Sequence, residues 1–268
     1  MPELPDLAVI SENLHRKFAN KRVLSFNIYK QSKLNTSASD FKNNIEGQLL
    51  KSITRSGKEL RLMFSNNHSL GIHLMLKGEI HLLSEPNIKH KIFDLVFDST
   101  DETSLFGGNE GFSIVDTMGQ ARPILNPATS DIPDALDNSF SSDYLMKILK
   151  MSKGKNIKKI LRDQSVVRGI GNAYIDEILW SAGISPLSDG DKIPFKYIEI
   201  LINSTKKTLS EAIVEIQKIN PNIISGEERS FLKIHNPNKS LSPNGVAIEV
   251  IEIDKKKTYF TNEQILFK

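Results

Sequence analysis

The chain of 268 residues contains no cysteine. That absence excludes disulfide bonds, a thiolate nucleophile and every zinc site with cysteine ligands. The six histidines are scattered and form no HxxxH pair, so we expect no structural metal and no cofactor. A run of eighteen apolar residues is missing, as are the charged and apolar regions of a secretory signal. The sequence therefore predicts a cytoplasmic protein without membrane contact.

The composition is otherwise ordinary for a globular protein, with 39% hydrophobic and 25% charged residues. The length suits one large domain or two modest ones. A net charge of +3 is too small to require a nucleic-acid partner. The excess of Lys and Arg lies in the second half of the chain, which permits phosphate binding there without proving it.

The hydrophobic pattern changes along the chain. Residues 5–20 predict an amphipathic helix, and seven short apolar or alternating runs follow between residues 23 and 116. Such runs, separated by turn residues, indicate a β-sandwich or barrel with one helix packed against it. Residues 126–141 are rich in Pro, Asp and Ser, which is typical of a linker. Helical periodicity then continues to about residue 218, and two strand-like runs near the end predict a hairpin.

The first residues combine two reactive groups. If Met1 is removed, Pro2 becomes the N-terminus and offers a secondary amine beside the carboxylate of Glu3. A free α-amino group titrates near ~8 and a Lys side chain near ~10.4, so the terminal amine is more often neutral and nucleophilic. The alternative is a simple helix start, with Pro5 in the first turn and Asp6 at the positive end of the helix dipole.

The most informative stretch is DQSVVRGIGNAYIDEILWSAGISP, which covers residues 163–186. A helix is expected to end near Gln164, a tight turn carries Gly169 and Gly171, and Asn172 is predicted to cap the next helix. The backbone N–H groups of such a turn, next to the Asn172 carboxamide, can cradle a phosphate. The glycine spacing alone fits an ordinary helix-turn-helix corner equally well.

This stretch resembles the helix-two-turn-helix (H2TH) motif of the formamidopyrimidine-DNA glycosylase / endonuclease VIII family, nearly residue for residue. The opening PELPD resembles that family's PELPE terminus, and SGKELRL (56–62) is similar to its strand with a Lys after a Gly. Because three matches occur in the family's order along the chain, the protein is identified as a member.

The resemblance implies an α+β fold with two main parts. The first is an N-terminal helix with a β-sandwich, the catalytic domain, over residues 1–128. A linker over 129–141 leads to a helical H2TH DNA-binding domain over 142–232. A β-hairpin finger without zinc, residues 233–268, ends the chain.

The resemblance also implies a reaction on double-stranded DNA that contains damaged bases or abasic sites. The enzyme would be a monomeric, bifunctional DNA glycosylase and AP lyase of base excision repair, nucleoid-associated if bacterial. The Pro2 amine would attack C1′ of the damaged nucleotide, expel the base and leave a Schiff base to the opened sugar. Glu3 would assist sugar opening as an acid. Lys58 would bind a phosphate and help the elimination steps that cut the strand.

Further positions are implied to contact DNA, and one loop departs from the family. The family's HLGMSG corresponds to HLMLKG (73–78), so the wedge that fills the hole left by a flipped base falls on Leu76. A buried strand Leu is the alternative. His90 is a candidate phosphate contact, and Gly171 and Asn172 belong to the phosphate-binding turn. The family's DPRRFG is DTMGQA here (116–121), so the Arg and Phe that read the opposite base are missing.

The C-terminal hairpin is the second departure. Many relatives hold a zinc ion there with four cysteines, but this chain has no ligand at those places, as in the family's zincless members. Lys256, or Lys257 if the register shifts by one, takes the place of the finger arginine. A lysine keeps the charge but loses the bidentate fork. A solvated turn is the alternative for this charge run.

Two other functions remain open from the sequence. The same scaffold could bind DNA lesions or abasic sites without turnover, as the altered opposite-base loop and Asp6 in place of Glu would allow. The H2TH-like turn could also serve generic RNA or DNA binding. The sequence does not define which lesion is preferred.

Overall fold

The computed structural model describes residues 1–98 and 110–268, which divide into two compact units. The first unit consists of Met1–Pro2, Asp6–Thr129 and Asn220–Glu227. The second consists of Glu3–Pro5, Ser130–Ile219 and Glu228–Lys268. The predicted boundaries at 128, 141 and 232 stay predictions. No helix among the described residues is both long and apolar enough to cross a membrane.

The described residues of the first unit form two four-stranded antiparallel sheets, two α-helices and a short 3-10 turn at Gln31–Lys33. One sheet has the order β1-β6-β7-β5 and the other β2-β3-β4-β8. Helix α1 lies against the first sheet, where Phe18 stacks on Phe97 at 4.9 Å between ring centroids. The bounds are α1 Leu4–Phe18, β1 Val23–Ile28, α2 Ala38–Ile45, β2 Leu50–Ser56, β3 Glu59–Phe64, β4 Ser69–His73, β5 Gly78–Leu82, β6 Lys91–Phe97, β7 Glu110–Asp116 and β8 Arg122–Leu125.

Burial follows the position of each strand in its sheet. Leu60, Leu62 and Phe64 of β3 are buried and alternate with more exposed residues, as expected for a strand with one face on the core. The central strands β6 and β7 are buried at nearly every position, so they lack a clear alternation.

The second unit is helical and ends in a two-stranded sheet. Its apolar core is formed by α3–α6 with Leu4 and Leu232. Gly190–Lys192 form a short 3-10 turn before the longest helix. The bounds are α3 Ser142–Met151, α4 Ile157–Arg162, α5 Asn172–Ser181, α6 Phe195–Ile219, β9 Glu249–Ile253 and β10 Lys256–Phe260.

The structure confirms the α+β class and corrects several local expectations. Helix α2 was not predicted; a Ser37–Asp40 capping box starts it, and Phe41 stacks on Phe26 of β1 at 5.5 Å. Strand β8 was also missed, because only four residues form it. One of the seven predicted runs, SLGIHLML over residues 69–76, is not a single strand: β4 ends at His73, and a turn follows.

Candidate active site

Glu3 lies at the start of helix α5, within the second unit. It is only 6% exposed, and its carboxylate accepts the backbone N–H groups of Ala173 at 3.1 Å and Tyr174 at 3.5 Å. The first N–H groups of a helix have no partner inside it, and the helix dipole favours a negative charge there. The carboxylate therefore acts as the cap of α5.

The turn before α5 is shaped to receive residues 3 and 4. The Leu4 N–H donates to the carbonyl of Gly169 at 3.1 Å, and Gly169 has a φ of +100°, which favours glycine. A Cβ on Gly171 would overlap the carboxyl group of Glu3. Gln164 closes the turn, since its carboxamide accepts from the Gly169 N–H at 3.0 Å and donates to the Ile170 carbonyl at 2.9 Å.

Asn172 is not the cap that the sequence predicted. Gly171, which has no side chain to serve as a cap, is the N-cap residue, and the Glu3 carboxylate takes the free N–H groups instead. The Asn172 Nδ2 instead donates to the carbonyl of Lys257 in the hairpin at 2.9 Å. Its Oδ1 is buried and makes no hydrogen bond within the part of the chain that the structure describes.

Lys58 belongs to the first unit, in the two-residue turn between β2 and β3. Gly57, with a φ of +59°, makes this tight turn, and Lys58 is half-buried. Burial, helped by the positive charges of Arg122 and Lys58, lowers the pKa of His73 to about 4. The charges of Lys58 and Arg122 thus form a positive region beside the neutral His73, and such a region suits a phosphate.

Leu76 is exposed in a turn and is not a buried strand residue. Half of its surface, 51%, is accessible to solvent. The turn between β4 and β5 is fixed by the Met75 N–H, which donates to His73 Nδ1 at 3.0 Å, and by a bond of 2.8 Å from the Gly78 N–H to the Leu74 carbonyl. An exposed leucine on a braced turn has the chemistry of a wedge.

His90 and the loop of residues 116–121, which departs from the family's sequence, also belong to the first unit. His90 is exposed, and its carbonyl accepts the Asp116 N–H at 3.0 Å. The Asp116 carboxylate holds the following turn by accepting the N–H groups of Met118, Gln120 and Ala121, which keeps its pKa below the usual range despite burial. Met118 is 54% exposed at this turn.

Pro2 is buried, and its nitrogen is an amide while Met1 remains attached. The terminal ammonium of Met1 lies 3.2 Å from the carboxylate of Glu227, in the same unit.

The hairpin carries the predicted lysines but no zinc site. Lys256 and Lys257 are exposed at the start of β10, after a tight turn at Asp254 and Lys255 with φ values of +49° and +58°. Within residues 1–98 and 110–268, no group of three His, Cys, Asp or Glu side chains could hold a metal ion. Since the chain also lacks cysteine, the residues present do not fit a zinc finger.

Within the second unit, the structure brings some predicted residues together. Glu3 lies against Gly171, and Asn172 is bonded to the chain at Lys257. Gln164 was expected only as the end of a helix, so the role of its carboxamide in the turn was missed, as was the buried Lys158 of α4. A lysine in an amphipathic helix is usually exposed, so the helical pattern gave no signal that Lys158 is buried.

These features define a class of α+β protein that presents a carboxylate at an H2TH turn. Two family profiles match the chain: the formamidopyrimidine-DNA glycosylase N-terminal domain over residues 1–109 and its H2TH domain over residues 132–222. The chain is 31% identical over 222 residues to the formamidopyrimidine-DNA glycosylase of Lactobacillus acidophilus, covering 80% of this chain and 78% of that one. It is 28% identical to the Lactobacillus johnsonii enzyme over the full length of both.

Solved structures have the same fold. The chain is similar to the Lactococcus lactis formamidopyrimidine-DNA glycosylase non-covalently bound to DNA with an AP site, with a TM-score of 0.79, 21% identity and coverage of 97% and 98% of the two chains. A complex of the same Lactococcus protein with abasic-site DNA gives a TM-score of 0.82. The chain belongs to the formamidopyrimidine-DNA glycosylase family.

Proposed function

We propose that the protein is a bifunctional DNA glycosylase and AP lyase of base excision repair, acting on double-stranded DNA with oxidised bases or abasic sites. Family membership carries the glycosylase assignment, and AP lyase activity is general for the family. Such an enzyme works where the DNA is, in the cytoplasm and at the nucleoid of a bacterium.

The observation that carries the proposal is the capped position of Glu3. A carboxylate beside Pro2 in the chain is buried and held by two backbone N–H groups, which fixes its direction. A positioned acid typically contributes about 10²–10⁴-fold to a rate. In the protein from which Met1 has been removed, the Pro2 nitrogen would attack C1′ and expel the base, and Glu3 would protonate the opening sugar.

The other residues have supporting roles in this proposal. Lys58 would bind a phosphate and assist the elimination that breaks the strand. Leu76 would fill the space left by the flipped nucleotide. His90, Gly171 and Asn172 would contact the phosphate backbone, and Lys256, or Lys257, would take the role of the finger arginine.

The test is nicking of a duplex that contains one abasic site, by protein whose mature N-terminus has been verified by intact mass. Strand cleavage with a blocked 3′ end, lost in a Glu3→Gln variant, would support the lyase. Tight and specific abasic-site binding without any nick would instead favour the non-catalytic lesion binder. Equal binding to undamaged duplex and RNA would point to the generic binder.

A further inference from the structure

The C-terminal hairpin needs a source of stability other than its own strands. Strands β9 and β10 form a separate two-stranded sheet, and such a hairpin is only marginally stable alone in water. Relatives with a zinc finger hold this element with a metal, but the residues of this chain do not fit one. Side chains from the helices of the second unit must therefore hold the hairpin.

Lys158 of α4 is one such side chain. It is fully buried, and its Nζ donates to Asp176 Oδ1 at 2.6 Å, to Thr258 Oγ1 at 2.9 Å and to the Lys257 carbonyl at 3.4 Å. An ammonium has three protons, and all three have partners here. Burial lowers the pKa of Lys158, while the Asp176 charge opposes that shift. One side chain thus joins helices α4 and α5 to strand β10.

Asp176 of α5 continues the network with its second oxygen. Oδ2 accepts the backbone N–H of Tyr259 at 3.0 Å and lies 2.7 Å from Nδ1 of His235, which serves as a donor to the carboxylate. The imidazole of His235 packs on the Tyr259 ring with centroids 4.6 Å apart. Both oxygens of this fully buried carboxylate are therefore used, which a buried charge requires.

The network ends at the groups proposed to contact DNA. The Lys257 carbonyl that receives the Lys158 ammonium also accepts the Asn172 carboxamide at 2.9 Å. A second link at the hairpin tip joins Asp254 to Lys159 at 2.8 Å and to Arg162 at 3.4 Å. That link is exposed to solvent, so it contributes less than the buried pair.

We propose that Lys158, Asp176 and His235, here called the hairpin anchor, hold the C-terminal hairpin on α4 and α5 in place of a metal and so position Asn172 and Lys256–Lys257 for a DNA phosphate. The three anchor side chains touch no DNA; they are positioning residues. The DNA contact of Asn172 rests on the proposed function, whereas the docking of the hairpin does not.

The test compares two variants by amide hydrogen exchange and by affinity for abasic-site DNA. Lys158→Met removes the ammonium alone. Lys158→Met/Asp176→Leu removes both buried charges, a replacement that is often neutral for folding, so it guards against a variant that fails to fold. The matched control is the exposed pair on α6, as Lys207→Met/Glu211→Gln. A chelator is added to the unmodified protein in a further arm.

We expect exchange of the Tyr259 amide and the other β10 amides to accelerate on the order of a hundredfold in the double variant, with α5 still protected. Affinity for abasic DNA should fall about ten- to a hundredfold, since the misplaced Asn172 and Lys256–Lys257 would lose a hydrogen bond to a charged phosphate. The control pair and the chelator should change neither measurement.

Four results would overturn the inference. They are unchanged protection of β10, an equal loss of protection across α4–α6, loosening of β10 with unchanged DNA affinity, and loosening of β10 by the chelator. If the unmodified protein itself fails to bind abasic DNA, the proposed function fails, and the exchange comparison still decides whether the anchor holds the hairpin.

Discussion

The substitution Gly171→Ala tests whether the turn before α5 positions the Glu3 carboxylate for the reaction. Its backbone, with φ −127° and ψ −169°, is extended, so alanine adopts it without strain. The added methyl group, however, would overlap the Glu3 carboxyl group. We therefore expect the carboxylate to leave the N–H groups of Ala173 and Tyr174.

Gly171→Ala is expected to lower both the stability of the protein and the rate of the chemical step. Removing the cap of α5 costs about 1 kcal/mol of stability. Displacing a positioned acid should slow the chemical step about 10²–10⁴-fold, which equals about 3–5 kcal/mol in the activation barrier. The rise in the activation barrier is therefore expected to be several times larger than the loss in the free energy of unfolding.

The assay is single-turnover nicking of an abasic duplex at saturating enzyme, with affinity and thermal unfolding measured in parallel. Gly154→Ala is the control: its φ of +66° strains alanine by about 1–2 kcal/mol, but no atom lies within 4 Å of the added Cβ. It should lose stability and keep its rate.

Two outcomes for Gly171→Ala would contradict the expected displacement of a catalytic Glu3. A saturated rate within about threefold of the unmodified protein would show that Glu3 is not displaced or not needed. A loss confined to DNA affinity would assign Gly171 to phosphate contact alone.

Three further predictions concern the first unit. The pKa of His73 is about 4 in the folded protein and ~6.5 in the unfolded chain, so between these values the unfolded state binds more protons. The free energy of unfolding should therefore fall by about 3 kcal/mol from pH 6.5 to pH 4. His73→Gln should remove most of this dependence in unfolding curves recorded over that pH range. Arg122→Gln should raise the pKa of His73 in an NMR titration, and an unchanged pKa would contradict the positive region. Leu76→Ala should leave stability within about 0.5 kcal/mol yet slow base excision from duplex DNA, whereas Leu24→Ala, 49% exposed on β1, should change neither.

The sequence predicted the architecture because its signals were local. Alternating residues in ELRLMF define β3 without reference to the rest of the chain, and the long apolar stripe after Pro194 defines α6, observed at Phe195–Ile219. Helix α2 and strand β8 were not predicted because each is too short to give a clear pattern in the sequence. Their formation depends on partners outside the segment itself, such as Phe26 of β1 for Phe41 and β4 for β8.

The candidate site was predictable only in part for the same reason. The sequence predicted the reactive residues Pro2, Glu3 and Lys58, because they lie in segments that resemble the family's motifs. What each side chain binds depends on contacts over long sequence separations. Glu3 takes the cap that Asn172 was predicted to provide, and Asn172 bonds to Lys257, 85 residues away.

The proposed reaction depends above all on the nitrogen of Pro2, which would form the covalent bond to DNA. Borohydride reduction of a reaction with abasic duplex, followed by peptide mass spectrometry, tests it directly. We expect a sugar adduct on the N-terminal proline of protein that has lost Met1, and no adduct on protein that retains Met1. An adduct on a lysine, or equal trapping by the form with Met1, would contradict it.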